Sequence, residues 1–122
     1  MPVLRIGVDM IEVARVQRAL ARHGERFYAR FFTPRERHIC AEQPQRLAAR
    51  FAAKEAAAKA LGTGIGAVRW LDLEIDSDAQ GRPILKLHAA AAQIAQQLQL
   101  TAWEVSLSHT ETHAIAFVVA LG

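Results

Sequence analysis

One cysteine, Cys40, stands in the whole chain, so no internal disulfide can form and packing alone must hold the fold. A reducing compartment is the natural home of such a protein. Long apolar runs are missing too. None approaches the ~18 residues of a membrane span, although 52% of the chain is apolar. Met1 to Arg5 lacks the basic start, apolar core and small-residue cleavage site of a signal peptide, and the expectation is a soluble, cytoplasmic protein with no membrane partner. Repeats, linkers and low-complexity tails are absent, which leaves a single domain over residues 1–122. Aromatic residues are few, at 7%, and alanine supplies much of the apolar content. Alanine buries little area, so the core is small and open to completion by oligomerisation.

Acidic residues are scarce in the first half. Residues 1–59 hold 12 Lys/Arg against 6 Asp/Glu, a balance of +6, whereas residues 60–122 hold 3 against 6, a balance of −3. Such asymmetry points to an anionic partner: nucleic acid, phosphates or an acidic protein. The basic half has neither zinc-ligand spacing nor a helix-turn-helix pattern, which argues against nucleic acid.

What is present centres on Arg50-Phe51-Ala52-Ala53-Lys54-Glu55-Ala56-Ala57-Ala58-Lys59-Ala60-Leu61, a run of strong helix formers. Pro44 upstream and Gly62 downstream bound a helix predicted from about Gln45 to Leu61. Arg50 and Lys54 are four apart, two cations stacked on one side. Glu55 and Lys59 repeat the spacing in the favourable acid-then-base order. Three cations around one carboxylate suit a polyphosphate that brings its own divalent metal. A solvated helix with one surface ion pair has the same spacing.

Elsewhere, Val3 to Val8 reads as a buried strand, with Gly7 marking close approach by a neighbour and Asp9 at the strand's exit. A helix over about Ile11 to His23 puts Arg15, Arg18 and Arg22 on one face. Phe27, Tyr28, Phe31 and Phe32 are candidate core among Arg26 and Arg30. Thr33, Pro34 and Glu36 form a helix start with a capping box. Gly62 to Gly66 is a glycine-rich loop, yet it follows a helix where a phosphate cradle precedes one. Gly64 stays a candidate because such turns aim amides at anions. Leu71 to Asp76 alternates apolar with acidic and predicts a strand with one wet face. Pro83 to Leu87 returns beside it, Ala89 to Leu98 is helical, and Ala102–His109 and His113–Ala120 make a hairpin about Thr110 to Thr112. On its first arm Val105, Leu107 and His109 share a face. No glycines flank Ser106 and Ser108, which excludes a hydrolase elbow. Asp9 and Glu55, 46 residues apart, would make a hard oxygen site for Mg²⁺ if the fold joins them. Otherwise Asp9 is a helix cap and Glu55 half of an ion pair.

Taken together, Gly7-Val8-Asp9 with Arg15 beyond it, followed by Phe51-Ala52-Ala53-Lys54-Glu55-Ala56-Ala57-Ala58-Lys59-Ala60, resembles the two signature motifs of the 4′-phosphopantetheinyl transferases. The small size, the Arg50-Phe51 start, the Gly62–Gly66 loop, the Trp70-to-Ile75 stretch and Ser106-Leu107-Ser108-His109-Thr110 resemble the short subclass, the holo-acyl-carrier-protein synthases. The resemblance implies an α+β fold, a small single domain with an antiparallel sheet packed on a long central helix. It implies transfer of phosphopantetheine from coenzyme A to a serine of an apo acyl carrier protein, in support of fatty acid biosynthesis. By that similarity Asp9 and Glu55 hold Mg²⁺, Lys59 meets the pyrophosphate, and Arg50, Lys54, Gly64 and His109 are candidates for the remaining phosphates. The base is Glu55 or a metal-bound water oriented by a carboxylate. Arg15, Arg18, Arg22 and Arg26 would dock the acidic carrier, and active sites would lie between neighbours of a homotrimer. A basic module that binds a carrier protein or nucleic acid without catalysis is the competing reading.

Overall fold

The computed structural model describes residues 2–122. Its axis is helix α4, Pro44–Leu61, which opens on Pro44 and ends on Gly62 at φ 79°, the left-handed cap that the sequence forecasts. Twelve of its residues are buried, among them Ala52, Ala53, Ala56, Ala57 and Ala60, so α4 runs through the middle of the molecule. Small side chains let other elements pack close. Gly7 lies so near the Ala56 carbonyl that a Cβ there would collide with it, the close approach that the glycine announces.

Strand β1, Leu4–Glu12, lies along one side of this helix. It extends four residues beyond the expected end at Val8, so Asp9 sits within the strand and not at its exit. The expectation of a fully buried strand also fails. Leu4, Ile6, Val8 and Met10 are exposed, and only the alternate side chains face α4. Helices α1 (Val13–His23), α2 (Glu25–Phe31) and α3 (Pro34–Cys40) follow. Phe27, Tyr28 and Phe32 are core, and Thr33 with Glu36 forms the expected capping box.

After the glycine loop, Trp70–Asp72 forms one turn of 3₁₀ helix, and the strand predicted there begins only at Leu73. This strand, β2 (Leu73–Ser77), pairs antiparallel with β3 (Pro83–Leu87). The wet acidic face foreseen here is absent at Asp72 and Asp76, both buried. Arg69 holds Asp72, while Arg35 and Lys86 hold Asp76 at 3.0 and 2.7 Å. Helix α5 (Ala89–Gln97) leads to the hairpin of β4 (Ala102–His109) and β5 (His113–Leu121). The main sheet has the order β1-β5-β4, antiparallel throughout, with β1 and β4 as its two edges. One face covers α4 with Ala114, Ala116, Val118 and Ala120. The other, with Ile115, Phe117 and Leu121 beside the exposed residues of β1, is left exposed among the described residues.

Candidate active site

Three residues of α4 break its burial on one side: Phe51, Glu55 and Lys59, spaced by four along one stripe. Beside that stripe runs β1, and the fold thereby brings Asp9 to Glu55 and Lys59. The Lys59 ammonium donates to the Asp9 carboxylate at 3.2 Å and to the Val8 carbonyl at 2.9 Å, an oxygen on the free edge of β1. Burial raises the Glu55 carboxyl above its ordinary value, the Asp9 charge raises it further, and Lys59 pulls the other way. Two carboxylates that repel each other within reach of a single lysine make an anionic cleft in want of a cation. No group of three or more His, Cys, Asp or Glu occurs among the described residues. The donor set is oxygen-only and incomplete, which fits Mg²⁺, an ion that keeps waters and takes substrate phosphates alongside one or two carboxylates.

Beyond this cleft lies a groove of about 540 Å³ with apolar walls from Val16, Phe27 and Phe51 and basic groups from Arg15, His23, Arg26 and Arg30. Ile11, two residues past Asp9, and Phe51, one turn before Glu55, connect it to the carboxylates. Arg18 and Arg22 are exposed on α1 but do not line the groove.

A second basic site occupies the far side of α4. A pocket of about 460 Å³ collects Arg46 and Arg50 from α4, Arg82 from the turn before β3, and Ser106 and His109 from β4. The buried Arg50 guanidinium is braced by the Ile75 carbonyl at 3.1 Å and the Ser77 hydroxyl at 2.9 Å. Arg82 pairs with Glu104. Arg46 and Arg82 escaped the sequence reading because nothing local to them signals a shared cavity with His109.

Arg50 and Lys59 are nine residues apart, about 180° around the helix. The three cations expected around one carboxylate therefore do not gather there: Arg50 faces away from Glu55 and Lys59.

Two further expectations are corrected. Lys54 is fully buried, and its ammonium donates to Glu36 at 2.8 Å, to the Trp70 carbonyl at 3.0 Å and to the Leu73 carbonyl at 2.7 Å. All three protons are used, and none is left for a phosphate. Gly64, with the amides of Gly62 and Thr63, turns back to cap α4: the Gly64 and Thr63 N–H groups donate to Ala58, and that of Gly62 to Lys59. The loop closes the helix, and the Gly64 amide, a candidate for meeting an anion, is taken by Ala58. Glu36, which the sequence marks only as a capping residue, is the hidden partner of Lys54.

The family model described as the 4′-phosphopantetheinyl transferase superfamily matches residues 5–118. The chain belongs to that superfamily. Within it, the chain is 50% identical over 123 residues to the holo-(acyl-carrier-protein) synthase of Herpetosiphon aurantiacus, with 95% of this chain and 97% of the relative covered. The crystal structure of the Helicobacter pylori synthase in complex with coenzyme A superposes with a TM-score of 0.87 at 32% identity, over 94% of this chain and 98% of that one. The Neisseria meningitidis synthase gives 0.85 at 38% identity, over 95% and 96%. The α+β transferase fold is thus that of the superfamily across nearly the whole chain.

Proposed function

We propose that this chain is a holo-acyl-carrier-protein synthase that moves 4′-phosphopantetheine from coenzyme A to a serine of an apo acyl carrier protein. The observation that carries the reading is the meeting of Asp9, Glu55 and Lys59 beside a basic groove, in a chain of the transferase superfamily. The serine oxygen forms a bond to the phosphorus that bears the pantetheine arm. The bridging oxygen of the pyrophosphate leaves with adenosine 3′,5′-bisphosphate. Glu55 takes the serine proton directly or across one water. Lys59 meets the pyrophosphate as a point charge. Asp9 and Glu55 would hold Mg²⁺, which when bound supplies charge neutralisation to the phosphoryl oxygens. Arg46, Arg50, Arg82 and His109, which line one pocket, take the remaining phosphates. Arg15, Arg18, Arg22 and Arg26 steer and dock the acidic carrier.

The two phosphate-binding groups sit at opposite edges of one sheet and on opposite sides of α4. Sites between copies would let one coenzyme A use the cleft of one copy and the basic pocket of its neighbour. The bare apolar face of the sheet, with Leu4 65%, Ile6 61% and Met10 63% exposed, is the surface along which copies would join. A homotrimer with sites between neighbours satisfies both features, and the lone buried thiol of Cys40 is at ease in the cytoplasm. Light scattering that finds a fully active monomer would overturn the assembly.

Intact mass of an apo acyl carrier protein after incubation with this chain, coenzyme A and Mg²⁺ tests the reaction. A phosphopantetheine gain is expected, and it should vanish with EDTA and in Asp9→Ala. No gain on any carrier tested would sink the transferase reading.

A further inference from the structure

We propose that the buried Lys54–Glu36 pair is a positioning device that fixes the rotation of α4 about its axis, and with it the place of Glu55 opposite Asp9. The inference rests on the reading of Asp9 and Glu55 as the carboxylates that hold the metal.

Both side chains are wholly buried, and five hydrogen bonds use their polar capacity. Lys54 donates to Glu36, Trp70 and Leu73. The second Glu36 oxygen accepts from the Ile75 amide at 2.8 Å, and the first accepts from Thr33 as well as from Lys54. The pair therefore ties α4 to the start of α3, to the 3₁₀ turn and to β2 at one point. Cohesion does not demand it. Apolar side chains of the same volume usually hold such a site as well or better. Apolar contacts have no direction, however, and five directed bonds do.

Direction matters at this position because Lys54 and Glu55 are consecutive. Their side chains leave the helix about 100° apart, so an anchor on one sets the bearing of the other. A carboxylate ~6 Å from the helix axis moves ~1 Å for a roll of about ten degrees, and a misplacement of that size costs up to ~10²-fold in rate. A second hold works from the same residue. Trp70, whose carbonyl Lys54 grips, stacks its ring on Phe51 with centroids 4.5 Å apart and planes at 27°. Phe51 lies one turn before Glu55 on the open stripe. Arg50, one turn earlier on α4, adds two directed bonds to β2, at the Ile75 carbonyl and the Ser77 hydroxyl, whereas the buried alanines offer contacts alone.

The test compares the full-length protein with Lys54→Met/Glu36→Met, which removes both charges and keeps the volume. Urea unfolding and circular dichroism confirm that the variant is folded. Mn²⁺ binding is then counted by electron paramagnetic resonance with coenzyme A present and no carrier protein. Binding weaker by about fivefold or more is expected, together with a kcat lower by about tenfold and a carrier KM within about twofold of the parent. A folded variant with parental Mn²⁺ affinity and kcat would overturn the inference and leave the pair a purely structural contact. Should the double variant not fold, Glu36→Gln carries the test, since its one oxygen can still accept from Lys54 and Thr33 while it loses the charge and the oxygen that accepts from the Ile75 amide. Its Mn²⁺ binding should weaken by about threefold, and parental binding would overturn the inference equally. Weakened Mn²⁺ binding in a protein that transfers nothing would uphold the positioning role and sink the transferase reading instead.

Discussion

Lys54 and Lys59 stand on the same helix, each bonded to a carboxylate, and share almost nothing else. The Lys54–Glu36 pair has no exposed side chain, whereas Lys59 is 54% exposed and its partner Asp9 23%. Burial pulls the Lys54 ammonium down from its ordinary value, and the Glu36 carboxylate beside it works against that shift. Lys59 answers to one carboxylate and one strand-edge carbonyl, with solvent beside it. A lysine with every proton committed is architecture. A lysine with open space before it is free to meet a substrate.

The sharpest way to break this contrast is to remove each ammonium in turn. Lys54→Met strands the Glu36 charge in the core and should cost ~3–5 kcal/mol in urea unfolding. Lys59→Met opens an exposed pair and should cost under ~1 kcal/mol by the same measurement. Equal losses would erase the distinction. Next in size, Glu55→Gln should lower the transfer rate by about 10²–10³-fold in a steady-state assay. Its unfolding midpoint should hold or rise, because a repulsion with Asp9 disappears. A fall in the midpoint would place Glu55 with the architecture. The smallest effect is in pH. Since the folded Glu55 carboxyl titrates above its ordinary 4.5, its contribution to stability is complete below that value. It is lost as pH rises through the elevated value. Melting curves without Mg²⁺ should show this decline in the parent and lack it in Glu55→Gln.

The sequence made α4 readable because Pro44 and Gly62 punctuate it, and made α3 and the last hairpin readable through Thr33-Pro34 and Thr110 to Thr112. Gly7 announced a close contact because only a missing Cβ allows one. The jobs of the two lysines were not readable. Each lies four residues from another charged residue, and local spacing carries no record of Glu36, 18 residues before Lys54. The length of β1 was hidden by its apolar outer row, which mimics a buried strand when the sheet face it forms is bare. Asp76 looked solvated because the cations that hold it, Arg35 and Lys86, lie on two other elements, α3 and β3; Asp72 is held by Arg69, three residues before it in the loop. Arg46 and Arg82 fall in one pocket through topology alone, since β4 must first pack on α4 and β3 on β4. The resemblance to the transferases located Asp9, Glu55 and Lys59, and the fold brought those residues together.

The alanines of α4 have a consequence for precision. A buried methyl has no rotamer to choose and gives up no side-chain entropy on folding, so the helix reaches its place without the disorder that longer side chains carry into a core. It also leaves no slack. Ala52, Ala53, Ala56, Ala57 and Ala60 are all buried, so a larger group there would overpack the core, and Gly7 meets the backbone of Ala56 with no room for a Cβ. The geometry presented to the substrate is therefore set by main chain resting on main chain, a reference surface as stiff as the peptide units that form it.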